Sequence, residues 1–316
     1  MTVTVRSMRI VFMGSPKFAL PVLQSLIDDQ NDIAGIYTQP DKPSGRGNKI
    51  SAPAVKLYAN DLGFLVKQPI SLKDPKIQNE LSELQPELIV VAAYGKLIPK
   101  GLLEIPRYGC WNIHPSLLPK YRGASPVTTA ILSGETTTGV TLMQLDEGLD
   151  TGPIISQQAA VIGTDESALE CTERLFKIGA EILIKNLPNL LSNSIVTKTQ
   201  SESSFTITKL LTKKDGLIKW NSTAEHIIRM ERAYRPWPGI YTTWNGKILK
   251  IHQLKLHKDN KVSKTPGKVA KNDGKLVVHT ARGSLVLCKL QLEGRDPVSG
   301  NEFISGYPDL INSILK

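Results

Sequence analysis

Glu87-Leu88-Ile89-Val90-Val91-Ala92-Ala93 decides the fold: one acid, then six apolar residues with nothing polar between them. A strand with one wet face alternates. An unbroken run rich in β-branched residues belongs instead to a strand covered on both faces, as in a parallel sheet with helices on either side. Outward from it, Met8–Met13 is a second short apolar run, followed by Gly14-Ser15-Pro16 and then by helical spacing from Phe18 to Ile27. Pro16 falls near the first helical turn, where its missing N–H costs little. Ile33–Tyr37, Tyr108–Ile113, Gly139–Leu145 and Ile154–Ile162 read as further strands. Glu166–Leu187 has apolar residues at helical spacing and closes the domain. Strands alternating with helices predict an α/β open sheet with Rossmann-like connectivity.

Leu190–Phe205 is rich in Ser, Thr and Asn and holds little that could pack, which predicts a linker. The expected division is a first domain over 1–193, a linker over 194–210 and a second domain over 211–316. The second domain shows a short helix (Thr223–Arg232) and brief strands at Gly239–Trp244, Ile248–Leu256, Lys275–His279 and Ser284–Leu292. Asn245-Gly246 and Asn272-Asp273-Gly274 supply the turns between them. A small OB-like β-barrel is the predicted product, and barrels of that kind commonly bind nucleic acid.

A chain of 316 residues suits two domains, each able to bury its own core. Hydrophobic residues at 41% and charged residues at 22% are ordinary for a soluble globular protein. Three widely spaced cysteines, Cys110, Cys171 and Cys288, argue against a disulfide framework or a Cys-rich zinc site and fit a reducing compartment. No long apolar run follows a basic cluster at the start, so neither a leader nor a membrane span is expected, and the expected location is the cytoplasm. Met1–Ser7 reads as an extension ahead of the first strand. The net charge of +10 is unevenly placed. Residues 1–210 carry 20 Lys+Arg and 20 Asp+Glu, while 211–316 carry 19 and 9, so the excess (19 − 9) sits in the last third. That suits chemistry in one domain and a polyanion on the other, although charge alone fits a merely soluble basic domain equally well.

The first strand turn lacks the second and third glycines of a dinucleotide fingerprint, and there is no Gly-x-x-x-x-Gly-Lys-Ser/Thr loop. No pair of histidines stands at zinc-ligand spacing. The chemistry-bearing stretch is Cys110-Trp111-Asn112-Ile113-His114-Pro115-Ser116-Leu117-Leu118-Pro119-Lys120-Tyr121-Arg122-Gly123, which follows a strand and so falls at a carboxyl end of the sheet. Asn112 and His114 alternate with Ile113 and face the same way. Later, Gly148-Leu149-Asp150-Thr151-Gly152-Pro153 sets an acid in a glycine-flanked loop. An amide to hold an oxyanion, an imidazole to relay a proton and a carboxylate to favour the imidazole's charged form would together suit acyl transfer. Taken singly, Asn112 reads as a turn cap, His114 as the filler of a polar niche and Asp150 as a loop acid. No Ser or Cys nucleophile is evident beside them, which favours direct transfer to an amine.

Asn112-x-His114-Pro115-Ser116-Leu117-Leu118-Pro119, with Asp150-Thr151-Gly152 after it, resembles the signature of the 10-formyltetrahydrofolate-dependent formyltransferases. The resemblance implies Asn112, His114 and Asp150 as the catalytic residues and 10-formyltetrahydrofolate as formyl donor, with no metal. It further implies a folate pocket lined by Ser116, Leu117, Leu118 and Pro119. The segment Val91–Ile98 would add to that pocket through Tyr94, Gly95, Lys96, Leu97 and Ile98, partly by backbone groups that meet the pterin. The likeness covers nearly all of the chain from Met8 onward and is strongest to the members that act on initiator methionyl-tRNA. It therefore implies that tRNA as partner, to a protein expected to be a monomer with no membrane partner. Two features fit. Thr38-Gln39-Pro40-Asp41-Lys42-Pro43-Ser44-Gly45-Arg46-Gly47-Asn48-Lys49 is similar to an insertion that binds tRNA, with Lys42, Arg46 and Lys49 as its cations, although by itself it reads as a solvated loop. The basic last third would lie along the RNA. Its entrance, Arg235-Pro236-Trp237-Pro238, reads as a structural piece at the domain junction. A formyltransferase acting on a sugar nucleotide or small amine is the rival expectation, and an RNA-binding module on an inactive α/β domain is a second.

Overall fold

A computed structural model describes residues 7–44, 49–192, 194–257, 259 and 261–316, with Ser44 and Lys49 described in backbone only. The chain divides into two compact units. The first is Met1–Pro126, Thr137–Val161 and Thr172–Lys209, and the second is Val127–Thr136, Ile162–Cys171 and Leu210–Lys316. The second unit thus recruits two short pieces of what the sequence suggested was wholly the first domain.

The chain opens with β1 (Arg9–Gly14), α1 (Leu20–Asp28), β2 (Asp32–Tyr37) and the hairpin β3 (Lys42–Ser44) and β4 (Lys49–Ser51). It continues through α2 (Ala54–Asp61), β5 (Val66–Lys67), α3 (Pro75–Glu83), β6 (Leu88–Ala92), α4 (Lys100–Leu103) and β7 (Cys110–His114). Then come β8 (Arg122–Gly123), α5 (Pro126–Ser133), β9 (Thr137–Gln144), β10 (Ile154–Val161), α6 (Ala168–Leu191) and β11 (Ile207–Thr208). Seven strands form one sheet in the order β10-β9-β7-β6-β1-β2-β5. Strands β5, β2, β1, β6 and β7 are parallel, β9 runs antiparallel to β7, and β10 runs antiparallel to β9 and so returns to the direction of the others. Every residue of β6 is buried, as its unbroken apolar run requires. Helix α6 approaches the sheet at Gly179, where a side chain would run into Ile113 and Val140, so β7 is covered closely. That β9 reverses direction was not legible in the pattern, because apolar content alone does not encode direction.

The segment expected to be a linker is, in part, a packed strap on the first unit. Lys198 exchanges two backbone hydrogen bonds with Ile154, at 2.8 Å each. Gln200 and Thr208 are buried, and β11 pairs with β8. Its Ser, Thr and Gln side chains act as hydrogen-bond partners for loops, a use that a composition argument about apolar packing overlooks.

In the second unit α7 (Ala224–Tyr234) is capped by Thr223, whose side chain accepts from the His226 N–H. Strands β12 (Ile240–Trp244), β13 (Lys247–Leu256), β14 (Val269–Asn272), β15 (Lys275–His279) and β16 (Ser284–Leu292) form an antiparallel sheet in the order β12-β13-β16-β15-β14. Short β17 (Val298–Ser299) pairs with β16 and leads into α8 (Gly300–Gly306). The β12–β13 and β14–β15 turns are two-residue links with positive φ at Asn245-Gly246 and Asp273-Gly274, as a twisted hairpin prefers. The chain's last residues bond to both edges: Ser313 and Leu315 to the β14 side, and Lys316 to Thr243 of β12. The tail thereby closes the sheet as a barrel and removes its open edges. Along β13, Leu249, Ile251 and Leu254 point inward while Lys247, Lys250 and Lys255 are exposed. Among the described residues no helix is long and apolar enough to cross a membrane.

Candidate active site

Strand β7 lies inside the sheet, and its carboxyl end carries the polar pair. Asn112 stands beside Val91 of β6 and Met143 of β9, and His114 is opposite Thr141. Beyond His114 the chain is pinned to β9 through one hydroxyl. Thr141 Oγ1 donates to the Ser116 carbonyl at 2.6 Å and accepts from the Leu118 N–H at 3.2 Å and Gln157 Nε2 at 2.8 Å. Ser116 Oγ donates to the Lys120 carbonyl at 2.7 Å. The strand end is therefore rigid, as a site of preorganised donors requires.

His114 is almost fully buried, with a polar neighbour at each ring nitrogen. Nε2 lies 2.9 Å from the Tyr121 carbonyl oxygen. A carbonyl only accepts, so Nε2 carries a proton. Nδ1 lies 3.6 Å from Asp150 Oδ2, an electrostatic contact longer than a hydrogen bond, which leaves Nδ1 uncommitted. Asp150 Oδ2 also accepts from the Gly123 N–H at 2.8 Å. The Asp150 backbone is left-handed (φ 53°), a conformation that Asp tolerates better than most residues. Two residues on, Gly152 has no room for a side chain, since a methyl there would strike the Gln144 carbonyl. The Asn112 side chain is half-buried and has no hydrogen-bond partner among the described residues, so its amide is available to a ligand. The three residues singled out in the sequence thus share one end of the sheet, with the His114–Asp150 pair in direct contact.

The segment after β6 leaves the sheet beside Asn112, the neighbour of Val91. The side chains of Tyr94 and Ile98 lie in the core. Burial pushes the Tyr94 hydroxyl well above its ordinary pKa, so a part for these two in ligand binding falls to their backbone. Gly95 turns with φ 79°, Leu97 is 71% exposed, and Lys96 Nζ donates to the Ile70 and Pro69 carbonyls. Burial and nearby Lys42 lower the Lys96 pKa. Ser116 and Leu118 are buried; Leu117 and Pro119 are half-buried. Of the three proposed RNA-binding cations, Lys42 is exposed on β3, Lys49 begins β4, and Arg46 lies outside the described residues.

Four polar groups around Asp150 were given no role from the sequence: Arg122 and the Gly123 N–H, at the end of the chemistry-bearing stretch, and Gln200 and Thr206, outside it. Gln200 Nε2 donates to the Asp150 and Gly152 carbonyls at 2.8 and 2.7 Å. No local signal marks it, since it lies 50 residues from Asp150 in a segment poor in apolar residues. Among the described residues no three His, Cys, Asp or Glu side chains gather as a metal cage.

Residues 8–187 match the family model described as Formyl transferase, and 210–308 match the one described as Formyl transferase, C-terminal domain. The chain belongs to the formyl transferase family and is a formyltransferase. Its curated relatives include the methionyl-tRNA formyltransferase of Geobacter metallireducens, 42% identical over 94% of this chain and 95% of that one. The enzyme of the same name from Chloroflexus aurantiacus is 43% identical over 95% of this chain and 97% of its own. Among solved structures, HypX from Aquifex aeolicus in complex with tetrahydrofolic acid shares the fold. Its TM-score is 0.66 at 16% identity, over 97% of this chain and 48% of that one. An N-formyltransferase from Helicobacter canadensis in complex with folinic acid and dTDP-3-aminofucose gives a TM-score of 0.65 at 18% identity, over 89% of this chain and 98% of its own.

Proposed function

We propose that this enzyme transfers the formyl group of 10-formyltetrahydrofolate to the α-amino group of initiator methionyl-tRNA, in the cytoplasm and as a monomer. The observation that carries the chemistry is the His114–Asp150 contact beside the unpartnered Asn112 amide at the carboxyl edge of the sheet. Asn112 is placed to donate to the formyl oxygen as the neutral amine attacks the formyl carbon and that oxygen gains negative charge. In the reacting form His114 is doubly protonated, and its Nδ1–H, beside Asp150 at 3.6 Å, is the second donor. Asp150 offsets the charge on His114 and orders the water through which the proton moves. The new C–N bond forms, the bond from the formyl carbon to folate N10 breaks, and the proton lost by the amine is delivered to N10. Direct transfer needs no covalent enzyme intermediate.

Residues 91–98 and 116–119 border the folate pocket in this reading, and the 42–49 hairpin with the lysines of β13 takes the RNA. Charge supports that division, since a neutral first part is joined to a last third carrying the full +10. The test is transfer of labelled formyl from 10-formyltetrahydrofolate to charged initiator tRNA, with elongator methionyl-tRNA and free methionine as controls. Label on the initiator alone is the expected outcome. No transfer to any of the three, with folate still bound, would leave the donor site and require another amine.

A further inference from the structure

Resting on that reading of the His114–Asp150 pair, we infer that Gln200 and Arg122 are positioning residues that fix the pair through the 200–208 strap. The strap grips both partners. Gln200 is buried and fully used: Nε2 bonds the carbonyls on either side of Thr151, and Oε1 accepts from Arg122 Nε at 3.0 Å. It therefore holds the Asp150 loop in its left-handed turn from outside. Arg122, only 3% exposed, is a buried charge that needs partners. It finds the Gln200 oxygen, a Glu202 carboxylate at 3.0 Å and the face of Phe205 at 5.0 Å, all supplied by the strap. Next to Arg122, the Gly123 N–H meets Asp150 Oδ2, so the placement of Arg122 also aims that donor. On the imidazole side, Thr206 Oγ1 accepts from the Tyr121 N–H at 2.7 Å, and the Tyr121 carbonyl faces His114 Nε2. A single segment, remote in sequence from both, thus sets the distance between imidazole and carboxylate. Misplacement of reacting groups by even an ångström can cost about a hundredfold in rate.

The test is a double-mutant cycle in the full chain with Gln200→Glu, Asp150→Asn and the double variant, reading kcat and both KM values. The near-isosteric Glu presents oxygen where two carbonyls need a donor. We expect Gln200→Glu to lower kcat about tenfold or more, with KM for folate and tRNA within about twofold, and to add less than about twofold in the Asp150→Asn background. A wild-type kcat, or losses that multiply in the double variant, would overturn the inference alone. A wild-type rate for Asp150→Asn would overturn the underlying reading of the pair and this inference with it. Should Gln200→Glu fail to fold, the exposed Thr206→Val serves. A severalfold fall in kcat at unchanged KM supports the strap's role, and a wild-type kcat overturns it.

Discussion

At the scale of single residues, the site depends on two groups being held in place while one remains free. His114 is committed at Nε2 and faces a carboxylate at Nδ1, whereas Asn112 has no partner to give up when a ligand arrives. A donor that need not reorganise stabilises a developing oxyanion by about 3–4 kcal/mol. Asn112→Ala and His114→Ala should each lower kcat by about a hundredfold or more while leaving folate binding within a few fold. Single-turnover formyl transfer and equilibrium folate binding check this, and near-normal turnover in His114→Ala would remove it from the chemistry. These two residues were legible in the sequence because strand alternation points both the same way. The proton on His114 Nε2 was not, because the Tyr121 carbonyl reaches it through a loop closed by tertiary contacts.

At the scale of elements, the β3–β4 hairpin belongs to the proposed RNA-binding part. Lys42 is exposed, and Ser44 pairs with Lys49 across the hairpin. Arg46→Ala should raise KM for the tRNA severalfold or more and leave KM for folate unchanged, so initial rates against each substrate distinguish its role from a folding defect. Helix α7 predicts a pH effect. Burial first, and Arg229 second, hold the His226 pKa below its ordinary 6.5. The unfolded chain therefore takes up a proton more readily than the native one near that pH. Stability from this group is present above about 6.5 and is lost as pH falls through the lower folded value. Denaturant midpoints should drop on acidification across that window, and His226→Gln should flatten this part of the drop.

At the scale of the whole molecule, charge is partitioned between the two stretches of chain: none net over 1–210 and +10 over 211–316. Association with a phosphate backbone releases counterions, so affinity for initiator tRNA should fall steeply and linearly in log–log form as salt rises. Affinity for folate, whose proposed pocket lies within the neutral stretch 1–210, should change little. Filter binding of tRNA beside fluorescence titration of folate over the same salts checks both. A flat tRNA response would count against the basic barrel as the RNA-binding part.

The sequence by itself determined the α/β sheet, the later set of short strands with their Asn-Gly and Asp-Gly turns, and the strand end bearing Asn112 and His114. Each rests on a short-range rule: a run with no polar break, a turn residue tolerant of positive φ, an alternation of period two. Tertiary structure alone decided the reversal of β9, the closure of the barrel by residues 313–316, and the passage of the second unit through 127–136 and 162–171. It also turned part of an apparent linker into the brace of Asp150. The physical reason is common to all four. They are fixed by hydrogen bonds between backbone or side-chain groups far apart in the chain, and such partners leave no periodic trace in composition.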